Sequence, residues 1–243
     1  ITEAEKLYKD FNRRGFIDYR VSLNYAIILT NRGDYKSAEK LVNHAIRIKP
    51  NLVEGHYNLG NILTKLNRLN EAEISTRKAI ELKPNFVAAH SNLGSILSKL
   101  NQLEKAELSC RKAIELNPNC IDAHLNLGTI LNKQGKSNEG ELSFFRAIEI
   151  NPKYGKSYFQ LTQFYNNNKE PRKAFRAISE ANKVLNQQYS TALLNEILTH
   201  AIEAHQPPMV KGRRVKLRYV HIGSRKPLLF IVHGKQVEAL PLS

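Results

Sequence analysis

VEGHYNLGNILTKLNRLNEAEISTRKAIELKPNF, residues 53–86, decides the reading of the chain, because the neighbouring stretches repeat it almost verbatim. Pro50, Pro84, Pro118 and Pro152 stand 34 residues apart; Gly60, Gly94 and Gly128 keep the same step, as do Ala45, Ala79, Ala113 and Ala147. A fixed period of this length marks one supersecondary unit that is copied and stacked. Within the unit, Leu59, Leu63 and Leu66 recur at helical spacing on a first helix, and Ala72, Thr76 and Ala79 on a second. The small residues Gly60, Ala72 and Ala79 allow two antiparallel helices to approach closely, and Pro84 ends the second because proline cannot continue a helix. Each pair is left with apolar faces that only a neighbouring pair can cover.

His56, Leu59, Gly60, Leu63, Ala72, Ala79 and Pro84 occupy the places that carry Trp, Leu, Gly, Tyr, two Ala and Pro in the tetratricopeptide pattern. On these residues the unit resembles the tetratricopeptide repeat (TPR) family. The resemblance implies a mainly α fold, an α-solenoid in which helix pairs wind into a right-handed superhelix. Residues 1–18 read as the second helix of a repeat whose first helix is absent, since Ala4 and Tyr8 fall where Ala38 and Val42 fall one period later. Complete units run over 19–52, 53–86, 87–120 and 121–154. In the last of them Gly140 replaces the second-helix alanine, at an expected cost of about 1 kcal/mol in helix propensity. A degenerate fifth unit spans 155–188, with Tyr158, Leu161, Tyr165, Ala174, Ile178 and Ala181 in register and Asn186 where the closing proline belongs. The polar run 166–171 interrupts it.

The chain has 243 residues, 42% apolar and 24% charged, which suits a soluble helical protein with a packed core. No apolar run approaches the ~20 residues that span a bilayer, so the expectation is no membrane segment and a cytoplasmic location. The net charge of +15 divides into +5 over residues 189–243 and +10 before them, and favours anionic partners such as RNA or acidic peptides. Cys110 and Cys120 lack CxxC spacing and a nearby metal-spaced histidine, and read as packing thiols of a reducing compartment.

After the fourth repeat the sequence changes character. Ser190-Thr191, Leu194-Asn195, His205, Pro207-Pro208, Gly212-Arg213-Arg214, Lys216, Tyr219 and His233-Gly234 follow one another in an order similar to the C-terminal region of the bacterial double-GTPase Der (EngA) family. From about 173 to 243 that resemblance implies a small α/β KH-like module for ribosome and RNA contact, incomplete here. Independently of it, 191–204 has helical spacing, Val215, Leu217 and Tyr219 alternate as in a half-buried strand, 223–227 reads as a turn and 228–232 as a short apolar strand, expected to be exposed. No GxxxxGK[ST] phosphate loop occurs, so nucleotide hydrolysis does not carry over from the family. The segment 172–188 is claimed by both resemblances.

Asn24, Asn58, Asn92 and Asn126 lie one period apart, with Gln160 at the fifth place. Seven residues is nearly two helical turns, so Asn58 and Lys65 share a face with Asn61 between them; the next units read Asn92, Ser95, Lys99 and Asn126, Thr129, Lys133. The stripe is similar to the asparagine ladder of the O-linked N-acetylglucosamine transferase repeats. That likeness implies a concave groove in which side-chain amides hold an extended peptide backbone, an amide offering both donors and an acceptor. The lysines add a preference for acidic residues or a terminal carboxylate. The alternative, that a copied repeat copies its solvent-facing asparagines with everything else, stays open. His56, His90 and His124 also keep the period, yet stacked helices sit about 8–10 Å apart and metal ligands bind one ion at about 2 Å. They read as core packing in place of tryptophan. Lys211, Arg213, Arg214, Lys216, Arg218, Arg225 and Lys226, with Tyr219 and His221 interleaved, form the candidate RNA-binding cluster, although the usual KH GxxG loop is missing.

The expectation is therefore a non-enzymatic adaptor, with no cofactor or metal, that binds an extended protein or peptide ligand. Two alternatives are a ribosomal RNA or ribosome-associated protein acting through its C-terminal module, and a substrate-recruiting region of a transferase whose catalytic domain lies elsewhere.

Overall fold

The computed structural model describes Glu3, Lys6, Tyr8 and Asp10, the continuous segment 18–185, and the backbone of five strands between 209 and 241. The segment 18–185 folds into ten helices: α1 (Tyr19–Asn31), α2 (Tyr35–Ile48), α3 (Val53–Lys65), α4 (Leu69–Leu82), α5 (Val87–Lys99), α6 (Leu103–Leu116), α7 (Ile121–Lys133), α8 (Ser137–Ile150), α9 (Gly155–Asn167) and α10 (Pro171–Leu185). They pair as α1 with α2, α3 with α4 and so on, five pairs in all. Tyr8, helical and buried, stacks on Tyr25 of α1 with ring centroids 4.1 Å apart.

Each core cluster draws on successive helices. Ala26, Leu29, Ala38, Val42 and Ile62 join α1, α2 and α3; Leu93, Leu97, Ala106, Cys110, Leu127, Ile130 and Leu131 join α5, α6 and α7. This is the physical content of stacking: no pair closes its own core. Cys110 is fully buried, and burial pushes its thiol up to about 12, in keeping with a packing role.

Within a pair, the first-helix glycine sets the approach. A Cβ on Gly60 would run into the Thr76 hydroxyl, and one on Gly94 into the Cys110 sulfur. Gly128 faces Phe144, which occupies the place of Cys110 one period back and Thr76 two periods back. The larger ring needs space, and Gly140 supplies it: a Cβ there would stand 2.9 Å from the Gly128 carbonyl oxygen. The glycine that the sequence marks as a propensity loss thus belongs to a compensated exchange, in which Phe144 is 1% exposed.

The turns inside the pairs share one backbone device. Gly33, Asn67, Asn101, Gly135 and Lys169, each 34 residues from the next, all have positive φ, between 60° and 82°. Glycine and asparagine tolerate this left-handed conformation, whereas lysine pays for its Cβ. The polar run at 166–171 is this turn in the fifth pair, with Pro171 at the first position of α10, where a missing N–H costs nothing. Of the segment 172–188, left open by the sequence, the described part is α10, which packs on α9 through Ala174 and Ala177 against Leu161, Phe164 and Tyr165.

Consecutive first helices (α1, α3, α5, α7, α9) approach one another directly, whereas among the described residues consecutive second helices make no backbone approach within 8 Å. The stack therefore curls with the first helices inside. Outside, long side chains span the wider gaps: Arg68 reaches Glu39 at 2.7 Å, Lys136 reaches Glu107 at 3.2 Å and Lys173 reaches Glu141 at 3.4 Å.

Near the C-terminus, β1 (Met209–Val210) pairs antiparallel with β2 (Arg213–Arg214), and β3 (Lys216–Arg218), β4 (Leu228–His233) and β5 (Gln236–Pro241) form an antiparallel sheet in that order. The strand expected at 228–232 is present as β4, paired with β3 over Phe230–Val232 and with β5 along its length, while the exposure expected of its side chains lies outside what is described. The strand β5 was not anticipated. The expected helix 191–204 and turn 223–227 lie outside the described residues.

Two stability tests follow from the glycine contact and the turn. Gly140→Ala restores helix propensity yet drives a methyl into the Gly128 carbonyl; a net loss of roughly 1 kcal/mol is expected, read as a lower Tm, and a higher Tm would refute the contact. Lys169→Gly relieves the left-handed lysine and is expected to raise stability by about 0.5 kcal/mol in denaturant titration.

Candidate functional site

The inner face of the curl is built by the first helices, and the stripe read from the sequence lies on them. Asn24 is exposed on α1; Asn58 and Asn61 are half-buried on α3, Asn92 on α5, Asn126 on α7 and Gln160 on α9. Asn126 is already engaged: its Nδ2 donates to the Ser91 carbonyl oxygen at 3.1 Å and lies 3.2 Å from the Ser91 hydroxyl, tying α7 to α5. An amide at this position thus reaches a backbone carbonyl. Asn92 is in the opposite condition. Its Nδ2 is buried and has no hydrogen-bond partner, and the Gln160 Oε1 is likewise buried without one. Thr129 donates to the Leu125 carbonyl of its own helix at 3.1 Å, which removes its hydroxyl from the stripe.

Lys65, Lys99 and Lys133 are exposed and end α3, α5 and α7, where a cation complements the helix dipole. Among the described residues none of the three takes part in an ion pair, although cations on the second helices are extensively paired. Lys133 turns inward instead, its Nζ donating to the Ser98 carbonyl at 3.1 Å. Partial burial holds the Lys99 ammonium below its ordinary pKa, and repulsion from Lys65 and Lys133 adds to the effect.

The histidines are not core residues. His56, His90 and His124 are half-buried, and each Nε2–H donates to the carbonyl of Pro50, Pro84 or Pro118 at 2.8 to 2.9 Å. They latch each first helix to the turn before it, which corrects the packing role expected from the tryptophan position. Of the basic C-terminal cluster, Arg213 and Arg214 lie on β2, and Lys216 and Arg218 occupy alternate positions, hence one face, of β3. Lys211, Arg225 and Lys226 lie outside the described residues.

The sequence reading missed the outer surface. Ile74, Leu108 and Leu142, one period apart on α4, α6 and α8, are 65 to 69% exposed. Beside Leu108 an open groove of about 510 Å³ runs between α4 and α6, floored by Ile80 and Leu93. The signal was available as a third in-phase apolar position, but it falls on the face opposite the core. No described helix is long and apolar enough to cross a membrane.

Comparison with known proteins accounts for both parts of the chain. Family models described as tetratricopeptide repeat match residues 19–52, 53–86, 87–120 and 109–141. A model described as the KH-domain-like C-terminal region of EngA bacterial GTPase enzymes matches 188–243. GTPase Der of Coxiella burnetii is 49% identical over 71 residues, 29% of this chain and 16% of that protein; GTPase Der of Salmonella newport is 48% identical over 67 residues, 28% and 14%. The chain thus spans about a sixth of the length of these relatives. A thermophilic TPR protein of Thermus thermophilus superposes with a TM-score of 0.67 at 18% identity, covering 77% of this chain and 98% of that one. YrrB, described as a TPR protein with an unusual peptide-binding site, gives 0.51 at 20% identity, covering 83% and 98%. These structural likenesses establish the solenoid fold. With its repeats matched from 19 to 141 and its helix pairs stacked as the period requires, the chain belongs to the tetratricopeptide repeat family and carries, at 188–243, a KH-like segment of the EngA C-terminal type.

Proposed function

We propose that the solenoid is a protein-interaction adaptor whose inner face binds an extended peptide through Asn58, Asn92 and Asn126, with Asn24, Asn61 and Gln160 extending the stripe. The observation that carries this reading is the buried, unpartnered Nδ2 of Asn92. An unmet buried donor costs about 1–3 kcal/mol, and turning the side chain toward the groove would let a peptide carbonyl satisfy it. The Asn126 amide, donating to a backbone carbonyl from the equivalent position, supports the same geometry for a ligand. The likeness to YrrB supports a peptide as the class of ligand. The stripe holds no nucleophile with a base beside it, and the adaptor needs no chemistry of its own.

The test uses Asn58→Ala combined with Asn92→Ala, because Asn126 also ties α7 to α5. Capture of extended peptides from a random library is expected to fall at least about tenfold, with helicity unchanged by circular dichroism. Undiminished capture would refute the amide ladder.

A second reading is supported by the KH-like match at 188–243: contact with ribosomal RNA or the ribosome through Arg213, Arg214, Lys216 and Arg218, joined by Lys211, Arg225 and Lys226. Removing residues 189–243 is expected to abolish RNA retention that weakens steeply between 50 and 200 mM salt. Retention by residues 1–188 alone would move any RNA contact onto the solenoid.

A further inference from the structure

The three inner lysines have a spacing that the asparagine stripe alone does not explain. Lys65, Lys99 and Lys133 follow the 34-residue period, while Asn31 and Asn167 hold the same place in the repeats before and after. The cationic row is thus three rungs long, closed at both ends by neutral residues. The helices that carry it touch directly, α3 with α5 and α5 with α7, so the rungs follow one another along the inner face. Helix-dipole complementation accounts for one lysine on each helix, but it does not account for three left without carboxylates on a face where Glu54 and Asp122 sit at the opposite, N-terminal ends of α3 and α7. Asp122 is in turn held by Lys156 at 2.7 Å. Partial burial is the main reason that Lys99 holds its proton less tightly than usual, and repulsion from Lys65 and Lys133 adds to it. An anionic ligand removes that repulsion.

Resting on the peptide reading above, we propose that Lys65, Lys99 and Lys133 select an extended acidic peptide with carboxylates at every third residue. Packed helices sit roughly 8–10 Å apart. A peptide in the extended polyproline II form advances roughly 3.1 Å per residue and turns once every three residues, so every third side chain points the same way. One rung therefore matches about three residues, so side chains at i, i+3 and i+6 meet successive lysines. The amides hold the backbone of any sequence in the groove, and the lysines choose among sequences by the phase of their negative charge.

The experiment measures fluorescence anisotropy of labelled twelve-residue peptides on the full chain. One peptide carries Asp at every third position, isomers of identical composition carry the same Asp residues adjacent or at every second position, and a fourth has Asn in place of each Asp. The phased peptide is expected to bind about tenfold tighter than its isomers, with the advantage shrinking in high salt. In Lys65→Gln combined with Lys99→Gln, which leaves the Lys133 tie to Ser98 in place, one remaining rung cannot read phase, so the phased peptide should fall to the level of its isomers while the Asn peptide binds as before. Equal binding of phased and unphased isomers to the unaltered chain overturns the proposal while leaving the peptide reading intact, and this comparison needs no variant to fold. A phase preference that survives the loss of Lys65 and Lys99 also overturns it. Failure of every peptide to bind, the Asn peptide included, overturns both readings together.

Discussion

The contact on which the array depends is the crossing of the two helices of each pair at a first-helix glycine. Gly60, Gly94 and Gly128 bring the second helix so near that no side chain fits between the two backbones. This closeness leaves alanines, Ala72, Ala106 and Ala113 among them, fully buried where larger residues would be expected in a core. The pair is consequently thin, and the large apolar side chains, Leu97, Ile130 and Leu131, meet across the joint between the α5–α6 pair and α7 of the next. Tight pairing and obligatory stacking are two sides of one constraint. The Phe144 and Gly140 exchange marks its tolerance: volume can move across the interface, but the sum on the two sides is held.

Curvature follows from the same asymmetry. First helices meet their successors directly, whereas second helices stand apart and are bridged by lysines and arginines reaching glutamates of the neighbouring repeat. Exposed bridges of this kind contribute little to stability, a few tenths of a kcal/mol to about 1 kcal/mol each. They decorate a spacing that the apolar inner contacts have already fixed. The consequence for function is a division of surfaces, in which charge is paired on the outside and left open on the inside at Lys65 and Lys99.

Much of this was legible in the residues because period carries phase. Proline, glycine and alanine at 34-residue steps give the pairs, their order and the identity of the inner face without any coordinate. What stayed hidden depends on contacts between units, which period alone does not encode. That Asn126 is spent on Ser91 while Asn92 is left unpartnered depends on how α7 leans on α5, although both asparagines occupy one repeat position. The histidines were misjudged because a residue at a tryptophan position reads as packing, whereas imidazole has a polar nitrogen that finds the proline carbonyl. The left-handed turn residues could have been found, since Gly33, Asn67, Asn101 and Gly135 keep the period and belong to the residue types that tolerate positive φ.

The tie between α7 and α5 has a mechanical meaning. Asn126 and Lys133 clamp Ser91 and Ser98 at two points seven residues apart on each helix, so the joint resists both sliding and twist. Among the described residues no such pair of side-chain clamps joins α3 to α5 or α1 to α3. The joint between α5 and α7 is thus held at two side-chain points as well as by its apolar contacts, which fixes how these two rungs of the inner face sit against each other.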